Sequence, residues 1–386
     1  MERLRWDINY SLEHSWYCLC NYLDTTIVSK IRLQTNSIPV QKTFKKQVQV
    51  LMNMEINGFA ATRPESELTP HEYQDTLESG EVAIEITHCG ICHSDIHLID
   101  NEWGMSDYPF IPGHEIVGRV VEAGNDSRLS EGDRVGVGWQ CGSCHSCEHC
   151  EAGEQHNCAE QEATCVGRNG GYADTIVVDS GFAFKLPDSL DSATTAPMMC
   201  GGITVYTPLS KYTSSGDHVA VLGLGGLGHF AVKFAAAMGH EVTVLSTSPS
   251  KREAAKELGA DRLVDTTKEG ALDELRGTFD CIINTAPASL DWEAYIATLA
   301  PNGVFAQVGA APQPLEVSAF SLLAQDKQVV GSHIGSPDKI REMLRFAAQN
   351  DVEATIQAYN MKDVNEALDH VRRGDAQFRV VLQNEE

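Results

Sequence analysis

Cys144, Cys147, Cys150 and Cys158 stand at the spacing C-x2-C-x2-C-x7-C. Four thiolates from one loop can close a tetrahedral shell around Zn²⁺ and leave no position for a substrate, which is a structural use of the metal. Cys141 extends the C-x2-C series by one step, so spacing alone leaves Cys141 and Cys158 as equal alternatives for the fourth ligand. Five of the 12 cysteines fall within residues 141–158. Such crowding, in a long chain with no secretory signature, reads as metal binding in a reducing, cytoplasmic setting rather than as a disulfide framework. A second set is scattered: CGICHSDIH at 89–97, PGHE at 112–115 and MMCGG at 198–202. Each of these fragments alone is compatible with ordinary packing, where buried Cys and His are common.

A third feature could bind an anion. Gly223, Gly225 and Gly228 form Gly-x-Gly-x-x-Gly, with Gly226 and Leu227 between them. The motif follows an apolar strand and opens a helix. In that setting the first glycine permits the tight turn, the second admits a pyrophosphate and the third lets helix pack on strand. About 20 residues on, an Asp or Glu would bind the ribose 2′-hydroxyl of NAD. Here Ser246, Thr247 and Ser248 occupy that place, and Lys251 and Arg252 follow. Hydroxyls and cations in place of a carboxylate suit a 2′-phosphate, so the expected cofactor is NADP(H).

These groups must be positioned by two kinds of architecture. From residue 81 to about 138, short β-type runs (EVAIEITHCG, HEIVGRVVEAG, GDRVGVG) are broken by Gly, Pro and Asp turns, which predicts a partly closed all-β domain. From residue 216 strands alternate with helices. HVAVLGLG, HEVTVLSTS, DRLVDT, FDCIINTA and GVFAQVGA are the strands; HFAVKFAAAMG, PSKREAAKELG and DWEAYIATLA are the helices. In PSKREAAKELG, Ser248 is the expected cap and Pro249 the first helical residue. The alternation predicts an α/β fold with a doubly wound parallel sheet.

The chain has 386 residues, 42% of them hydrophobic, and a net charge of −25. No apolar run reaches the roughly 18 residues that a membrane helix needs. The negative charge repels phosphate backbones and anionic lipid heads, which argues against nucleic acid and membrane partners. Residues 1–50 differ from the rest: seven basic and four acidic side chains give them +3, leaving −28 on residues 51–386. All 32 glycines lie beyond them, the first being Gly58. Residues 1–53 are therefore expected to be an accessory extension or an over-long start, with folding sequence beginning near Met52 or Met54. The acidity fits either plain solubility or adaptation to high salt.

Taken together, CGICHSDIH, YPFIPGHEIVG, GDRVGVGW, CGGITVYTPL, GLGGLG and INTAPASLDW make the chain beyond residue 53 resemble the zinc-dependent medium-chain alcohol dehydrogenases. Within that family it resembles the cinnamyl alcohol dehydrogenase branch, especially its bacterial NADPH-dependent aldehyde reductases. The resemblance implies a GroES-like, partly closed β-barrel catalytic domain at 54–200 and 339–386. It also implies a Rossmann dinucleotide domain at 201–338 and a homodimer joined through the latter. It places a catalytic zinc on Cys92, His114 and Cys200, with Glu115 as a nearby carboxylate, and leaves Cys89 out. It resolves the structural zinc toward Cys144, Cys147, Cys150 and Cys158. Two thiolates and an imidazole leave Zn²⁺ an open position, the set known for alcohol dehydrogenases, where an aldehyde oxygen would be polarised.

For the proton, the resemblance implies that Ser94 donates to the alkoxide and is resupplied through the cofactor ribose and His97. Asp95 would orient a metal ligand. His93 is expected near the pyrophosphate, Thr204 near the nicotinamide and Trp103 in the substrate cleft. The expected activity is reduction of an aldehyde by NADPH, or oxidation of a primary alcohol in reverse. Two rivals are an NAD-linked enzyme of the same fold, which would want a carboxylate at 246, and a non-catalytic zinc-binding protein.

Overall fold

The computed structural model describes residues 52–311 and 313–384. The expectation of an extension over 1–53 lies outside the described residues as far as residue 51. Met52 and Asn53 already belong to the first strand.

The chain opens with a hairpin, β1 (Met52–Ala60) and β2 (Thr69–Leu77). Then come β3 (Glu81–Ile91), α1 (His93–Ile99), β4 (Ile116–Ala123), β5 (Arg134–Val137) and β6 (Gln140–Gly142). The cysteine loop carries α2 (Glu148–Glu151) and returns through β7 (Glu162–Ala163), which pairs with β6. β8 (Thr175–Asp179), β9 (Ala183–Lys185), α3 (Ser192–Thr195) and α4 (Gly201–Tyr212) lead into the second architecture. There β10 (His218–Leu222), α5 (Gly228–Ala237), β11 (Glu241–Ser246), α6 (Arg252–Glu257) and β12 (Arg262–Asp265) alternate. They are followed by β13 (Phe279–Asn284), α7 (Trp292–Ala297), β14 (Leu299–Gln307), α8 (Ala319–Leu323) and β15 (Gln328–Gly331). The chain closes with α9 (Pro337–Gln349), β16 (Ile356–Asn360), α10 (Val364–Arg372) and β17 (Arg379–Gln383).

The six strands from β10 to β15 form one parallel sheet in the order β12-β11-β10-β13-β14-β15. This is the doubly wound dinucleotide topology, whose order reverses beside β10, where the chain enters the Gly-x-Gly-x-x-Gly turn. β10 reads as an unbroken apolar run because both of its faces are covered. Val219 and Val221 pack with Phe230 and Phe234 of α5 on one side, while Ala220 and Leu222 pack with Trp292 and Ile296 of α7 on the other. Truncating a buried sheet residue such as Ile283 to Ala would cost about 2–5 kcal/mol.

The other sheet is mostly antiparallel, in the order β16-β17-β3-β4-β5-β9, with β8 also on β3. It draws strands from 81–185 and from the last 31 residues. Thus β17 pairs with β3, setting Val381 beside Gly90. The predicted strands and helices all appear. One detail differs: the first turn of PSKREAAKELG is a 3-10 turn at Pro249–Lys251, and the Ser248 side chain does not cap it. Ser248 instead donates its backbone N–H to Ser246 Oγ at 3.1 Å.

Candidate active site

The end of β3 and the start of α1 bring the first group into place. Cys92 is the N-cap of α1, and its backbone N–H donates to Asp95 Oδ2 at 2.8 Å. Asp95 is fully buried. Its Oδ1 accepts from Gly113 N at 3.0 Å and faces His114 Nδ1 at 2.9 Å, and Tyr172 Oη donates to Oδ2 at 3.3 Å. One carboxylate thus pins the helix start, the PGHE loop and the imidazole. His114 Nε2 is buried without a hydrogen-bond partner. It points into a cluster in which ligand atoms of Cys92, His114, Glu115 and Cys200 lie within 4.8 Å of one another.

Cys200 reaches this cluster from the N-cap of α4. Cys92 is held well below the usual thiol range, chiefly by the hydrogen bond with Cys200 and against the effect of burial. The pair is therefore set to lose at least one proton, as metal-binding thiols must. Two thiols and an orphaned buried imidazole nitrogen fit a zinc ion with an open position. Glu115 is in the cluster but is also engaged elsewhere. Its two oxygens accept from Arg379 Nη2 at 2.5 and 2.6 Å, with both side chains buried. Burial pushes its carboxyl up to about 7, while Arg379 pulls the other way.

The cysteine loop brings together Cys144, Cys147, Cys150 and Cys158, again within 4.8 Å. Cys141 lies apart in β6, buried, with Arg168 Nη1 donating to its sulfur at 3.2 Å. Of the two alternatives left open by spacing, the geometry gathers Cys158. The flanking His145 and Asp179 side chains are paired.

At the dinucleotide turn, Gly223 has φ +91°, a conformation that favours glycine. A Cβ on Gly228 would stand 2.1 Å from the Gly223 carbonyl oxygen, the close helix–strand approach expected of the third glycine. Leu227 is the N-cap of α5. A cavity of about 470 Å³ is lined by Gly225, Gly226, His93, Lys251 and Arg379. Ser246 is buried at the end of β11, whereas Thr247 is exposed and Ser248 half-buried. Lys251 Nζ donates to the Leu224 carbonyl at 2.8 Å, at the cavity edge. Arg252 is not brought there: its guanidinium donates to the Leu263 carbonyl of β12 at 2.7 Å.

Ser94 is half-buried in the first turn of α1, and Thr204 sits one turn beyond Cys200 in α4. His97, in the last turn of α1, holds Glu102 Oε2 against its Nδ1 at 2.7 Å, and its ring lies 5.1 Å from that of Trp103. Trp103 is partly exposed. Glu102 was not anticipated from sequence; its place five residues past His97, across a helix end, carries no motif. Trp139, edge-on to His114 at 4.9 Å, was likewise missed, because an aromatic after GVG reads as packing.

A doubly wound dinucleotide sheet, joined to a β-rich body that gathers two thiols and an imidazole, defines a class of metal-assisted dehydrogenases. Residues 78–188 match the alcohol dehydrogenase GroES-like domain, and residues 226–349 match the zinc-binding dehydrogenase family. The chain belongs to the zinc-dependent medium-chain alcohol dehydrogenase family, an oxidoreductase family. It is 42% identical over 330 residues to aldehyde reductase AdhA of Synechocystis sp., covering 85% of this chain and 98% of that one. It is 41% identical over 341 residues to NADP-dependent alcohol dehydrogenase C 1 of Mycolicibacterium smegmatis, covering 85% and 97%. Among solved structures, a cinnamyl alcohol dehydrogenase of Sorghum bicolor superposes with a TM-score of 0.82 at 37% identity, covering 86% of this chain and 98% of that one. The Helicobacter pylori enzyme solved with NADP(H) gives 0.79 at 34% identity, covering 86% and 99%. No described helix is long and apolar enough to cross a membrane.

Proposed function

We propose that this protein catalyses NADP(H)-linked reduction of aldehydes, and in reverse the oxidation of primary alcohols. The observation that carries the reading is the convergence of Cys92, His114 and Cys200 on a buried, unpartnered His114 Nε2. Those three residues would hold a catalytic zinc, with Glu115 in reserve, and Cys144, Cys147, Cys150 and Cys158 a structural one. Zinc at the first site would supply Lewis acidity to a carbonyl oxygen, and NADPH the hydride.

The chain's own side chains do the rest. Asp95 holds His114 in the orientation that presents Nε2. Ser94 gives the proton to the oxygen of the substrate, and His97, steadied by Glu102, restores it from solvent. His93 and the turn Gly223, Gly225, Gly226, Leu227 and Gly228 receive the pyrophosphate. Thr204 lies along the nicotinamide, and Trp103 with Trp139 lines the substrate cleft. Ser246, Thr247, Ser248 and Lys251 take the 2′-phosphate. Arg252, tied to Leu263, braces α6 instead.

In this reading residues 54–200 and 339–386 form the catalytic domain and 201–338 the dinucleotide domain. The active form is a cytoplasmic homodimer joined through the latter. Supporting that last point, β15 is an edge strand, and Phe320 and Leu323 of α8, the helix that leads into it, are 82% and 72% exposed. The test is the initial rate of NADPH and of NADH consumption with aliphatic and aromatic aldehydes, before and after zinc chelation. A zinc-dependent preference for NADPH is expected. Preference for NADH would overturn the cofactor assignment, and no turnover with either would overturn the activity.

A further inference from the structure

His229 lies one residue past the last glycine of the dinucleotide motif, and no role assigned above uses it. It is fully buried in the first turn of α5. Its Nδ1 lies 2.8 Å from the carbonyl oxygen of Gly226, and its Nε2 is buried without a partner. Since a carbonyl only accepts, Nδ1 carries the hydrogen and Nε2 the lone pair. Burial and the nearby Arg379 hold the ring neutral, with its titration pulled down to about 3. The ring stacks on Phe378, with centroids 5.3 Å apart and planes 3° from parallel. Phe378 immediately precedes Arg379 of β17. The guanidinium of Arg379 lies so close to the turn that a Cβ on Gly226 would come within 3.0 Å of its Nη1.

We propose that His229 is a positioning residue for the dinucleotide pyrophosphate. It draws the Gly226 carbonyl under α5, so that this peptide oxygen does not face the anion, and it braces Phe378 and Arg379 against the same turn. The inference rests on the dinucleotide reading above. An alternative is that the ring only fills space, and two substitutions separate the two. In His229→Asn the amide nitrogen can replace Nδ1–H, and in His229→Leu the volume is kept without a donor. A turn with its carbonyl released should bind the pyrophosphate about tenfold more weakly, the effect of one lost buried hydrogen bond.

The experiment titrates the full chain with NADPH, by the fluorescence of the nucleotide. Adenosine 2′-phosphate, which lacks the pyrophosphate, is then titrated by calorimetry. Thermal unfolding and zinc content are measured alongside. The expected result is a roughly tenfold loss of NADPH affinity in His229→Leu, near-normal NADPH affinity in His229→Asn, and unchanged adenosine 2′-phosphate binding in both. Equal losses for the two nucleotides, wild-type NADPH affinity in His229→Leu, or a His229→Asn variant as weak as His229→Leu would overturn the proposal. A wild-type protein that binds neither nucleotide would instead overturn the dinucleotide reading itself. If His229→Leu does not fold, the comparison of the two nucleotides on His229→Asn decides: a loss of NADPH affinity there ends the proposal.

Discussion

Single side chains in this molecule are tuned by what surrounds them more than by what they are. His114 and His229 are both fully buried imidazoles, yet one faces a carboxylate and two thiols, the other a backbone carbonyl and an arginine. If the proposed function holds, replacing His114 by Ala should lower the zinc content from two ions to one and lower aldehyde reduction by at least about a thousandfold, read by metal analysis and initial rates. Ser246→Asp should place a carboxylate where a 2′-phosphate would lie and shift the NADPH-to-NADH ratio of kcat/KM about 10- to 100-fold toward NADH. An unchanged ratio would remove Ser246 from the specificity argument. His229 also predicts a pH effect. Its folded value of about 3 lies below the ordinary 6.5. The unfolded chain therefore takes up the proton first, and stability is intact above about 6.5 and drains as pH falls toward 3. Denaturant unfolding at pH 7 and pH 5 should show a smaller acid loss in His229→Leu than in wild type.

Among the described elements, α1 is the one on which the proposed mechanism leans most heavily. Its seven residues present Ser94 and His97, with Cys92 at its cap, and it is held at both ends. Asp95 ties the start to Gly113 and His114, and Asp100 just past the end takes two hydrogen bonds from Arg372 of α10, at 2.5 and 2.7 Å. Asp95→Asn should therefore cost more than a helix cap: in the proposed reading about 10- to 100-fold in zinc affinity, measured by competition with a chelator. The acceptor facing the imidazole loses its charge, and the amide nitrogen turns a donor toward the Cys92 N–H and the Tyr172 hydroxyl. The sequence makes much of this legible. The alternation of short apolar runs with a longer helical one placed β10, α5 and β11, since strands and a helix buried on most sides differ in length and in their flanking glycines. The spacing of CGICHSDIH with the distant PGHE and MMCGG showed the cluster only through a whole-family likeness. What stayed hidden was contact between distant segments. Glu115 meeting Arg379, the Cys141–Arg168 pair and Arg252 turning to Leu263 depend on side-chain directions that no local pattern encodes.

At the scale of the whole molecule, charge is the dominant unspent property. A chain of net −25 repels itself at low ionic strength. Raising KCl from about 0.01 M to 1 M, which shortens the screening length from about 30 Å to 3 Å, should raise Tm. A flat response would favour plain solubility over adaptation to high salt. The two architectures also differ in how they use the chain. The six-stranded sheet is built from consecutive segments, whereas the seven-stranded one closes with β16 and β17, and Arg379 of β17 holds Glu115 across 264 positions. On a ribosome the dinucleotide sheet emerges entire, but the metal cluster waits beside an unfinished wall until the last strand has been made. If Cys92 and Cys200 share a metal as proposed, those thiols wait for their final enclosure until β17 is made, and the catalytic ion would be loaded last.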